Sequence, residues 1–163
     1  MSYLSRFTCS CFITSVVMAV IAVISQASSA ETLTAQTVAA QNTAVVEAFY
    51  DLAFNQKQPE LAVKRYGGER YIQHNPQVGD GWENFIGFVK GFTQQNPGLK
   101  AKIVRTVAEG NLVTTHVHIT FSDNDQLGMS AIDIFRLENG KIVEHWDVLQ
   151  PVPESSANNN TMF

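Results

Sequence analysis

Apolar positions recur at helical spacing in the first half of this chain and alternate in the second. From Val38 to Gln56, Val45, Phe49 and Leu52 fall on one helix face with Val46, Tyr50 and Ala53 beside it, which predicts a first helix. A second, short helix is marked by Pro59 in its first turn, Glu60 near its positive end, Lys64 and Arg65 near its negative end, and Gly67-Gly68 as a stop. Glu69 to Pro76, ERYIQHNP, reads as a brief extended segment ended by Asn75-Pro76, because the residue before proline avoids helical angles. Asp80 is then placed to cap a third helix, with Glu83 three residues on. Along that helix Trp82, Phe85, Val89 and Phe92 form an aromatic stripe, more core than ligand surface, up to the stop Asn96-Pro97-Gly98.

From Leu99 the period becomes two. Ile103, Arg105 and Val107 lead into a turn at Glu109-Gly110-Asn111, and a long strand follows from Leu112 to Phe121. On it Val113, Thr115, Val117, Ile119 and Phe121 share one face, and Thr114, His116, His118 and Thr120 share the other. After a polar turn at Ser122 to Gln126, Met129 to Pro151 reads as two strands joined at Glu138-Asn139-Gly140-Lys141, since Asn-Gly supplies the positive φ angles of a tight hairpin. Ala131, Asp133 and Phe135 share a face of the first arm; Val143, His145 and Asp147 share a face of the second. The order helix, helix, short strand, helix, four antiparallel strands predicts an α+β fold: helices on one face of a curved sheet, with a cavity inside.

Composition changes the picture mainly at the ends. Arg6, a mostly apolar run from Cys11 to Ile24, and Ser28-Ser29-Ala30 make residues 1–30 read as a cleavable signal peptide, giving a mature start at Glu31 and a periplasmic or secreted protein. Residues 31–153 then form one domain, and the polar tail 154–163 is expected to be disordered. Cys9 and Cys11 both lie in the signal, so the mature chain offers no disulfide or thiolate chemistry. Without Arg6, ten Lys+Arg stand against 15 Asp+Glu, a formal net charge of −5, which argues against nucleic acid or an anionic membrane as partner.

The candidate chemistry centres on the hairpin. Asp133 lies on an otherwise apolar strand face, where burial raises a carboxyl pKa and makes it a better base toward carbon acids; the alternative is a structural pairing with Arg136, His145 or a helix end. His74 is placed at the mouth of a cone, able to polarise a carbonyl or relay a proton, and equally able to hold the HNP turn. His118 is given a similar relay role. His116 and His118 point the same way, and at least one is expected in the pocket, the other choice being the outer sheet face. With His74 or Asp133 this His-x-His pair could also ligate zinc or iron(II), although a lone pair is a weak signal. Tyr71, Asn75, Trp82, Phe85, His116, Phe135, His145 and Asp147 complete the expected pocket. If His145 and Asp147 face the cavity, Trp146 and Glu144 face outward, where Trp146 would serve a dimer contact; the opposite register would make Trp146 a pocket wall.

The segments YIQHNP at Tyr71 to Pro76, VHIT at Val117 to Thr120 and DIFRLENGKIVEHWDV at Asp133 to Val148 resemble the SnoaL-like polyketide cyclases of the nuclear-transport-factor-2-like superfamily, over roughly Thr43 to Pro151. The resemblance implies a cone-shaped α+β barrel, usually a homodimer, doing acid/base chemistry without metal or organic cofactor. In such cyclases a pocket aspartate takes a proton next to a carbonyl and the enolate closes a ring by aldol addition; Asp133 falls at that place. The fold is shared with dehydratases, isomerases, epoxide hydrolases and plain binding proteins. The expected function is therefore lyase- or isomerase-type catalysis on a small, largely apolar carbonyl compound, with a non-catalytic small-ligand binder as the alternative.

Overall fold

The computed structural model describes residues 34–163, and the predicted signal peptide lies outside them. Contacts divide the chain at Thr37, and the unit from Val38 to Phe163 is the domain that follows. Helix α1 covers residues 34–50 and runs on as a π-helical turn, Asp51–Asn55. Helix α2 is Pro59–Tyr66 and passes without a loop into strand β1, Gly67–Gln73. After α3, Trp82–Gln95, come β2 (Lys100–Glu109), β3 (Leu112–Thr120), β4 (Met129–Glu138) and β5 (Lys141–Pro151).

One five-stranded sheet results, in the order β1-β5-β4-β3-β2. The last four strands form the predicted antiparallel meander, whereas β1 joins β5 in parallel, with Gln73 beside His145. Asn139 (φ 50) and Gly140 (φ 70) make the β4–β5 turn through the left-handed region that Asn-Gly tolerates. Gly81, not Asp80, caps α3; the Asp80 carboxylate is engaged elsewhere, accepting from the Gln73 backbone N–H at 2.9 Å and tying the loop to β1.

The concave sheet face and the helices share a single core. Phe49 of α1 is fully buried and packs on Phe85 (5.3 Å between ring centroids), Trp82 (6.1 Å) and Phe135 (6.1 Å), joining both helices to β4. Val113, Val117, Ala131, Phe135 and Ile142 supply the sheet side of this core. The convex face carries Thr114, His116, His118, Ile132, Arg136, Glu144 and Trp146. At the end of the tail, Phe163 lays its ring on His118 there, with centroids 4.1 Å apart. Among the described residues no helix is long and apolar enough to cross a membrane.

Candidate active site

A cavity of about 470 Å³ opens between α1, α3 and the concave sheet face. Eight aromatic side chains line it, namely Phe49, Tyr50, Phe54, Tyr71, Phe85, Phe88, Phe92 and Phe135, together with Ile119, Met129 and Leu149. Its polar groups are Gln73, Asn75, Gln77, Asp133, His145 and Asp147. Two wider surface depressions, of about 540 and 530 Å³, are shallow and open, and neither contains a buried titratable side chain.

Strand alternation and hairpin register bring the acids and the histidine together. In the β4–β5 ladder Asp133 is opposite Asp147, and Phe135 is opposite His145. Asp133 is 5% exposed and His145 7%, with His145 Nε2 lying 3.1 Å from Asp133 Oδ1. Burial pushes the Asp133 carboxyl above its ordinary value of 3.8; the His145 contact opposes that rise and the charge of Asp147 adds to it. Tyr50 Oη approaches Asp133 Oδ2 at 3.5 Å, and burial together with the neighbouring carboxylates holds both Tyr50 and Tyr71 well above the usual phenol range, so both stay protonated donors.

Two side-chain amides, each oriented by a backbone N–H, set the protonation pattern. Gln73 Oε1 accepts the Asn75 N–H at 2.9 Å, which identifies that atom as the oxygen; it lies 3.0 Å from His145 Nδ1, so Nδ1 carries a proton and donates it. His145 Nε2 and Asp133 Oδ1 must then hold at least one further proton between them, either as carboxylic acid and neutral imidazole or as carboxylate and imidazolium. Asn75 Oδ1 accepts the Gln77 N–H at 2.8 Å, which leaves its Nδ2 to donate to Asp147 Oδ2 at 2.8 Å. Gln73 Nε2 donates to Tyr71 Oη at 3.2 Å, leaving the Tyr71 O–H free to donate into the cavity.

Of the residues singled out from sequence, Tyr71, Asn75, Phe85, Asp133, Phe135, His145 and Asp147 line this cavity. The other four do not. His74 sits outside it, where Nε2 meets Glu144 Oε1 at 2.9 Å and the ring stacks on Trp146 at 4.7 Å. Glu144, whose burial favours the neutral form, is nonetheless held below the usual carboxylate range by donation from His74 and Arg136. His116 and His118 both lie on the convex face, because Val113, Val117 and Ile119 on the opposite side of β3 are the groups worth burying. There His116 accepts from Arg105 at Nδ1 (2.8 Å) and donates from Nε2 to Ser130 Oγ (2.9 Å), while His118 Nε2 donates to Leu127 O (2.8 Å). Burial and the Arg105 charge both press the His116 pKa down. Trp82 stands behind the wall, stacked on Tyr71 at 4.1 Å with its Nε1–H on Gly68 O.

The metal set imagined from His116, His118 and His74 or Asp133 is therefore not assembled: Asp133 occupies the concave face, the histidine pair the convex one. The group among the described residues that could hold an ion is Asp133, His145 and Asp147, whose donor atoms lie within 4.8 Å of one another. Trp146 faces outward with Glu144, so it is no pocket wall.

The site residues missing from the sequence reading are Tyr50, Gln73 and the rings of Phe49, Phe54, Phe88 and Phe92. Gln73 shares strand parity with Tyr71, the one signal that would have placed it. Thr115, opposite Asp133 on β3, is fully buried, and its hydroxyl oxygen is without a hydrogen-bond partner among the described residues. Replacing it with the isosteric valine is expected to raise stability by about 1–2 kcal/mol in urea unfolding, since an unsatisfied buried hydroxyl is removed.

A curved α+β sheet closed over an acid–histidine pair places the domain among the cone folds of the nuclear-transport-factor-2 type. The chain belongs to the SnoaL-like domain family, whose model matches residues 46–145. Among solved structures, a candidate polyketide cyclase from Bacillus cereus is similar at 24% identity over 70% of this chain and 77% of its own, with a TM-score of 0.61. TsrD from Streptomyces laurentii is similar at 20% identity, over 68% of this chain and 88% of its own, TM-score 0.57. A candidate isomerase of the SnoaL-like family from Agrobacterium tumefaciens shares 17% identity over 68% of this chain and 98% of its own, TM-score 0.56. Comparison with curated protein sequences finds no match.

Proposed function

We propose that the cavity abstracts and returns a proton next to the carbonyl of a small, largely apolar compound, a lyase- or isomerase-type reaction of the aldol-cyclase kind. The observation that carries this reading is the buried Asp133–His145 contact at the end of an aromatic cavity, where the two groups share a proton that can move either way. Asp133, in its ionised form, takes the proton from carbon. His145, fixed by Gln73, carries the matching positive charge, Tyr50 donates to Asp133, and the free O–H of Tyr71 donates to the developing enolate oxygen. Asp133 keeps the role given to it from sequence, and the partner roles pass from His74 and His118 to His145 and the tyrosines.

The test is to incubate the protein with a panel of small aryl alkyl ketones in D₂O and follow deuterium entry beside the carbonyl by NMR. Enrichment above the buffer rate supports the reading; exchange at the buffer rate across the panel, with ketone bound, favours a carrier. The reading includes export: the predicted signal would deliver a mature chain beginning at Glu31 to the periplasm or medium, and intact-mass measurement of protein from its own cells checks this. It also includes a homodimer through the convex face, where Val148 stands 73% exposed two residues from the outward Trp146, and Val107, on the far edge strand β2, stands 69% exposed. Sedimentation measurements distinguish dimer from monomer.

A further inference from the structure

The same cavity has a charge balance that selects its ligand. Among the described residues it is lined by two carboxylates, Asp133 and Asp147, and by no lysine or arginine. The charge of Asp133 is met by the proton shared with His145. Asp147 has no such counterpart. Among the described residues its single hydrogen bond comes from a neutral amide, Asn75 Nδ2 to Oδ2, and its other oxygen accepts nothing. Asn75 is held in this orientation because its own oxygen accepts the Gln77 N–H. Asp147 is also cross-strand neighbour to Asp133, and like charges so placed repel. A carboxylate or phosphate entering this space would meet the charge of Asp147 without a compensating cation. A cation would offset the charge of Asp147 in a cavity whose lining includes the aromatic rings of Phe49, Phe54, Phe85 and Phe88. The largely aromatic and aliphatic lining suits an organic cation better than a hydrated metal ion.

We propose that the ligand carries a protonated amine on an apolar body, anchored at the spare oxygen of Asp147, and that the site excludes anions. This rests on reading the cavity as the acid/base site, and it adds a specificity residue that leaves Asp133 and His145 free for the carbonyl. Calorimetric titration with phenethylamine, phenethyl alcohol and phenylacetate at neutral pH tests it, because the three probes share a frame and differ in charge. The amine is expected to bind at least about tenfold more tightly than the alcohol, and the carboxylate more weakly than either. Asp147→Asn is expected to bring the amine to the affinity of the alcohol while leaving alcohol binding within about twofold. The wild-type order stands whether or not that variant folds. An alcohol bound as tightly as the amine, a carboxylate bound more tightly than the alcohol, or an amine preference that survives in Asp147→Asn overturns the proposal and leaves the acid/base reading in place. Failure of all three probes to bind counts against both.

Discussion

Asp133→Asn is expected to lower carbonyl-adjacent proton exchange by about 10²–10⁴-fold, the range for loss of a positioned general base. The fold should survive, because asparagine has the same shape and its amide can still hydrogen-bond His145 and Tyr50. Stability gives a second readout. Burial raises the Asp133 pKa in the folded chain above its ordinary 3.8, so the folded state favours the protonated acid. A raised pKa contributes stability that is complete below the unfolded value and lost as pH rises through the folded value. The wild-type protein should therefore lose stability over that rise, and Asp133→Asn, which cannot ionise, should lose less. Thermal melts from acid to neutral pH measure the two slopes; parallel slopes together with undiminished exchange would remove Asp133 from the mechanism.

Phe49→Ala carries the largest expected cost to the fold. The ring is fully buried and touches both α3 and β4, so its removal leaves a void where helices and sheet meet. Truncation of such a ring costs about 3–5 kcal/mol, against a total stability of about 5–15 kcal/mol for a domain. Urea unfolding should show the midpoint falling with little change in slope. Because Phe49 also lines the cavity, the variant should bind apolar ligands less selectively even where it folds.

Local chemistry explains which parts of this site were legible in the sequence. Alternation put Asp133 on one face of β4 and His145 with Asp147 on one face of β5, but the register started by the Asn139-Gly140 turn would set Asp133 opposite Trp146; a bulge between Arg136 and Leu137 shifts the pairing by one residue and makes Asp133 and Asp147 neighbours. The same parity argument placed His116 and His118 opposite Val113 and Val117, and the convex-face position follows from it; placing one of the pair in the cavity worked against the apolar face that β3 buries. Gln73 reaches His145 only through parallel pairing of β1 with β5, strands separated by most of the domain, and no local pattern encodes that meeting. Tyr50 reaches Asp133 across 83 positions for the same reason. Asp80 looked like a helix cap because Glu83 follows it, yet its carboxylate serves β1. Local pattern thus determined which residues of a strand share a face, while the hairpin bulge and the meetings between distant elements decided which of those faces and residues come together.

The central claim is that Asp133 and His145 share a proton while Gln73 holds another on Nδ1. Nitrogen NMR of the imidazoles in ¹⁵N-histidine-labelled protein, followed as pH is raised, tests it most directly. The account predicts a protonated His145 Nδ1 throughout, with an Nε2 resonance that moves in Asp133→Asn. A deprotonated Nδ1, or an Nε2 indifferent to the loss of Asp133, would contradict it.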